Sequence, residues 1–141
     1  MTIRMANPIV RATGAGAVYL AIVFLWAFAL GTVRVLVVAP RLGELVAVLI
    51  ETPLVLGASW FACRWTVRRL AVGPEVTVRL AMGAVAFVLL MILEFALSGL
   101  VFGQPAGAWL EGFRTTPGAI GLAAQIAFGF VPLIQRSKHR P

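Results

Sequence analysis

Two carboxyls, one guanidinium and one amide sit inside runs that are otherwise apolar. Glu51 lies in "AVLIETPLVLGAS" (47–59), Glu94 in "LAMGAVAFVLLMILEFALSGLVF" (80–102) and Gln125 in "PGAIGLAAQIAFGFVPLI" (117–134). Arg34 lies near the end of "AGAVYLAIVFLWAFALGTVRVLVV" (15–38). A carboxylate can bind a cation, exchange a proton or pair with an Arg, and an Arg stays charged and favours an ionised partner. In a lipid setting such groups are costly, face the bundle interior or water, and mark ion, proton or ligand sites by default.

The elements that must hold these groups are membrane helices. Of the 141 residues, 61% are hydrophobic and only 12% are charged, about half the charge of a soluble domain. The net charge of +7 does not point to nucleic acid, because the basic residues flank the apolar runs. They read as anchors, so the partner this charge predicts is a bilayer with anionic headgroups at the cytoplasmic face. Cys63 is the only cysteine, so no internal disulfide forms.

Apolar runs of about 18 residues or more predict transmembrane helices, and there are four, at about 15–38, 43–63, 80–102 and 117–134. The predicted fold is all-α: a polytopic, four-transmembrane-helix antiparallel bundle. It divides into a cytoplasmic N-terminal segment (1–14), the transmembrane domain (15–134) and a basic cytoplasmic tail (135–141). The first run is long and carries Trp26, so it reads as a retained span and not as a leader to be cleaved. Pro40 and Gly43 bracket a short turn, and Gly73 and Pro74 mark the next connection. Thr116 before Pro117 reads as a helix cap. Pro53 is expected to kink the second span and free a carbonyl near Leu49.

Basic residues set the direction. Arg4, Arg11, Arg64, Arg68, Arg69, Arg79, Arg136, Lys138 and Arg140 fall on one side, against Arg41 and Arg114 on the other. Both termini are therefore predicted to be cytoplasmic, in the inner membrane of a bacterium.

Counting along the spans then places the polar groups by depth. Glu51 is eight residues past Gly43, Glu94 eight before Phe102, and Gln125 eight past Pro117. At 1.5 Å per residue that is about 12 Å below the outer end of each helix. Arg34 is one turn above the matching level on the first span and reaches down to it. The predicted binding or proton-exchange site is Arg34, Glu51, Glu94 and Gln125, with Thr32, Thr52 and Ser98 close by. Small residues on the same faces, Gly31 below Arg34, Gly83 below Glu94, and Gly118, Gly121 and Gly129 beside Gln125, point these groups into the bundle. Arg34 is expected to pair with Glu51. That leaves Glu94 without a cation of its own, so it is the group expected to exchange a proton or meet a ligand.

Other residues read more plainly. Trp109, Leu110 and Phe113 are expected to anchor at the outer interface, with a short lid over the polar level as the alternative. Tyr19, Trp60 and Trp65 read as cytoplasmic belt residues. The lone His139 sits in the tail, Cys63 and the serines have no base beside them in sequence, and no phosphate loop appears. No metal set, cofactor or catalytic residue is predicted. The Gly14/Gly16 pair is too common in membrane helices to carry weight.

The function expected is binding or transport of a proton, a cation or a small polar ligand from the outer side. The alternatives are an accessory subunit that uses the polar level for helix contacts and, third, an enzyme acting on lipid or quinone. A bundle this small has little room for a water-filled path of its own, so a homo-oligomer or membership of a larger membrane complex is expected.

Overall fold

The computed structural model describes residues 7–135. Arg4 and the tail from Arg136 onward, with Lys138, His139 and Arg140, lie outside the described residues.

Helix α1 (Pro8–Val33) starts at Asn7, whose Oδ1 accepts from the Ile9 N–H at 2.9 Å. Pro8 follows at a position where its missing N–H costs nothing. The helix thus begins well before the apolar run at 15, because the cap, not hydropathy, determines where a helix starts. A π turn (Arg34–Val38) and one more turn, α2 (Ala39–Leu42), continue it. Pro40 has no N–H for the Leu36 carbonyl, and the Ala39 N–H donates to the Arg34 carbonyl, one residue further back than in an α-helix. Arg34 therefore sits where the helix changes pitch.

The connection expected over 39–42 shrinks to a single residue. Gly43 adopts φ +87°, a conformation glycine alone takes without strain, and α3 (Glu44–Arg69) begins immediately. α4 (Val76–Leu100), the short α5 (Ala106–Gly112) and α6 (Thr116–Gln135) follow. Helix is the only regular structure among the described residues. Four stretches are long and apolar enough to cross a membrane: Pro8–Leu42, Glu44–Arg69, Val76–Leu100 and Thr116–Gln135.

α1 packs against α3 and α4, and α6 packs against the same two, so the long helices form a closed ring of neighbours. Glycines set two of these contacts. A Cβ on Gly16 would lie 2.6 Å from the Met82 carbonyl oxygen, and one on Gly83 would collide with the Gly129 carbonyl. Close backbone approach of this kind is how helices associate in lipid, where apolar burial supplies no drive. Gly16, given no weight in sequence, is thus a contact point, whereas Gly14 faces open space. Leu25, Leu36, Phe61, Leu100 and Phe102 are more than half exposed on the outside. Such a surface is a liability in water and natural against acyl chains.

Candidate functional site

A cavity of about 700 Å³ lies among α1, α3, α4 and α6 at the end of the bundle that holds Gly43 and α5. Its polar lining includes Arg34, Glu44, Glu51, Glu94, Gln104 and Gln125, with Thr52 and Thr115. Leu20, Val23, Phe24 and Phe128 form an apolar wall, and Trp109 and Phe113 cover part of it from the α5 side.

The Arg34 guanidinium holds two carboxylates. Its Nη1 donates to Glu44 Oε1 at 2.6 Å, and its Nε lies 2.5 Å from Glu51 Oε2, an ion pair that lacks the alignment of a hydrogen bond. The Glu51 contact was expected from sequence; Glu44 was not. Glu44 sits at the predicted membrane boundary, where an acidic residue in the first turn of a helix reads as a favourable dipole partner and nothing more. The one-residue turn at Gly43 is what folds it back onto Arg34. Gly31 leaves space beside the second pair: a Cβ there would be 3.8 Å from Glu51 Oε1.

Glu94 is held differently. Gln125 Nε2 donates to Glu94 Oε1 at 2.6 Å, bridging α4 and α6. This neutral amide is the one side chain that hydrogen-bonds Glu94 among the described residues. The other end of the amide, Gln125 Oε1, is buried with no donor. Arg34 and Glu51 are within electrostatic reach of Glu94, but both nitrogens by which Arg34 makes ion pairs serve Glu44 and Glu51.

The structure thus brings Arg34, Glu51, Thr52, Glu94 and Gln125 to one cavity, and leaves Thr32 and Ser98 off its lining. The Thr52 hydroxyl is turned back on its own helix, donating to the Val48 carbonyl at 2.8 Å, so it offers a ligand little. Thr32 is exposed and likewise bonds the Phe28 carbonyl. Ser98 is buried and donates to Gln104 Oε1 at 2.9 Å, tying α4 to the connection that leads into α5. Gln104, which sequence did not single out, reaches the cavity in its place.

The α5 segment lies over the cavity. Trp109 meets Phe95 edge-on at 5.3 Å and Phe113 at 4.9 Å, and both Trp109 and Phe113 line the space. Gly103, at φ +64°, reverses the chain into this segment. The cap of α6 falls one residue earlier than expected: the Thr115 hydroxyl, not that of Thr116, accepts from the Gly118 N–H at 3.1 Å.

A second set of buried polar groups lies toward the chain termini and corrects two readings. Tyr19 is no interfacial belt residue. It is fully buried, stacks on Phe128 at 4.5 Å, and donates its hydroxyl to the Phe128 carbonyl at 2.8 Å. That carbonyl is available because Pro132, one turn on, has no N–H to give it. Arg79 is no headgroup anchor either. It is buried, and donates from Nε to the Gly73 carbonyl at 2.8 Å and from Nη1 to the Pro132 carbonyl at 3.2 Å. Cys63 and Ser59 are buried beside Tyr19. By contrast Arg64, Trp65, Arg68 and Arg69 are exposed at the end of α3, as anchors would be.

Among the described residues no three His, Cys, Asp or Glu side chains converge as a metal ion would require. The chain matches no protein-family model, no curated protein and no solved structure, so the site is read from its own geometry.

Proposed function

We propose that the chain is a multi-pass protein of a bacterial inner membrane, and that its polar cavity binds or transports a proton, a cation or a small polar ligand taken from the outer side. In this reading the four long helices run antiparallel with both termini cytoplasmic. The exposed cluster Arg64, Arg68 and Arg69 at the end of α3 supports that direction.

One observation carries the functional reading. Glu94 lines a cavity and is hydrogen-bonded by a neutral amide, while the one guanidinium in the lining is occupied by two other carboxylates. A carboxyl kept for packing alone would be matched to a cation or replaced by an apolar group, since unmatched ionisable groups are costly in lipid. Arg34, Glu44 and Glu51 fix the shape of the site, and Glu94 is the group that meets what enters.

The test is uptake or binding in liposomes reconstituted with the full chain. Glu94→Gln is expected to lower proton- or cation-coupled signal about tenfold or more, the scale set by losing a desolvated charge partner. Elution volume and helical content should stay as in the parent protein. Unchanged signal in a folded variant, with foreign subunits retained on purification, would replace this reading with that of an accessory subunit.

A further inference from the structure

We propose that the occupant of the cavity is a protonated organic amine: its N–H groups face Glu94, and its aliphatic or aromatic body lies against Phe24, Phe128 and Trp109. This rests on the reading above and narrows its ligand class.

Size comes first. A space of about 700 Å³ is in the ordinary range for small-molecule sites, about 300–1,000 Å³, and far exceeds what a proton or a bare metal ion fills. A metal ion is disfavoured on chemistry as well, because no three ligating side chains converge among the described residues.

Charge comes second. The lining carries Arg34 against Glu44, Glu51 and Glu94. With the carboxyls ionised this excess is negative, so an anion is repelled and a cation is drawn in. Arg34 is committed to Glu44 and Glu51, so the imbalance is felt at Glu94.

Hydrogen bonding comes third and separates kinds of cation. Glu94 accepts one bond from Gln125, and the amide turns its oxygen away from the carboxylate to do so. That oxygen is left buried with no donor, so the Glu94 carboxylate is the acceptor that the cavity presents. The Glu94 carboxylate lines the cavity with acceptor capacity beyond the one bond from Gln125. A protonated amine offers donors to it, whereas a quaternary ammonium offers none.

The remaining wall decides the body of the ligand. Leu20, Val23, Phe24 and Phe128 cannot hydrogen-bond a sugar or another polyol. Trp109 and Phe113 add ring faces and edges at the α5 side, and such rings attract a cation near them.

The experiment uses the full chain in phosphatidylglycerol nanodiscs and three matched probes read by calorimetry: 3,3-diphenylpropylamine, its N,N,N-trimethylammonium analogue and 3,3-diphenylpropanol. The amine is expected to bind about tenfold or more tightly than either analogue, the discrimination a desolvated hydrogen-bonding site achieves. Glu94→Gln should remove that preference. Equal binding of amine and alcohol overturns the proposal, since it reports partition into an apolar space. Equal binding of the amine and the quaternary ion also overturns it, since charge alone is then recognised. These comparisons within the parent protein hold whether or not the variant folds. If no probe binds while a Glu94-dependent proton or sodium signal persists in liposomes, the amine assignment falls and the broader reading stands; if that signal is absent too, both fall. Repeating the titration with phosphatidylethanolamine added separates two sources of the same chemistry. Competition by that lipid makes a membrane aminolipid the occupant, and unchanged amine affinity makes it a free amine.

Discussion

Arg79 and Arg34 are both arginines in apolar helices, yet the two ends of the bundle use them in opposite ways. Arg79 is buried and donates to the Gly73 and Pro132 carbonyls. Around it Tyr19 takes the carbonyl that Pro132 frees, and Cys63, Ser59 and Thr66 fill the remaining space. There a polar group exists to satisfy backbone that the helices leave open. Arg34 instead serves side chains, Glu44 and Glu51, and stands at a cavity with Glu94 and an unmatched amide oxygen. The contrast separates two uses of a polar residue in apolar helices. The first ends on backbone in a filled space, and the second ends on other ionisable groups beside a cavity.

Substitutions can break or sharpen this contrast, and the largest effect is expected at Tyr19. Tyr19→Ala should destabilise by about 3–5 kcal/mol, the usual cost of emptying a large aromatic site, and Tyr19→Phe by about 1–3 kcal/mol through the orphaned Phe128 carbonyl alone. Unfolding in mixed detergent measures both. If Tyr19→Ala is neutral, the terminal half is not the rigid part.

Next come the two arginines. Arg79→Leu should cost about 2–4 kcal/mol, because two carbonyls lose charged donors in a filled interior. Arg34→Leu should cost less, about 1 kcal/mol, since its pair with Glu44 is more than half exposed on the Glu44 side and such pairs contribute little. A reversed order would mean that the Arg34 cluster holds the bundle together and that the cavity is incidental. The smallest effect belongs to Thr52→Val. Its hydroxyl is spent on Val48, so both stability and amine affinity should stay within about 0.5 kcal/mol, measured by the same unfolding and calorimetry. A larger loss of affinity would put Thr52 among the ligand contacts.

Much of the site was legible because depth is a matter of counting. Glu51, Glu94 and Gln125 lie eight residues from three breaks in hydropathy, and an error of a residue or two moves each by only about 1.5–3 Å. What escaped were residues whose part depends on a turn or on rotation. Glu44 joins Arg34 because Gly43 reverses the chain in one step. Ser98 shares a helix with Glu94 but bonds Gln104 and leaves the cavity. Thr32, near Arg34 in sequence, faces outward. The helix ends were least legible, since caps such as Asn7 and Thr115 lie outside the stretches that hydropathy reads.

Sequence alone determined that this is a chain of long apolar helices and that Glu51, Glu94 and Gln125 lie at matching distances from the ends of their apolar runs, because both follow from the local order of residues along each helix. Tertiary structure decided which of those groups meet. Each residue turns a helix by about 100°, so a side chain's partner depends on how the helix is rotated against its neighbours. That rotation is set by contacts between distant segments, Gly16 on Met82 and Gly83 on Gly129. The same contacts put Tyr19 and Arg79 in the filled interior and Glu94 at the cavity, although the order of residues alone reads Tyr19 and Arg79 as residues of the cytoplasmic interface.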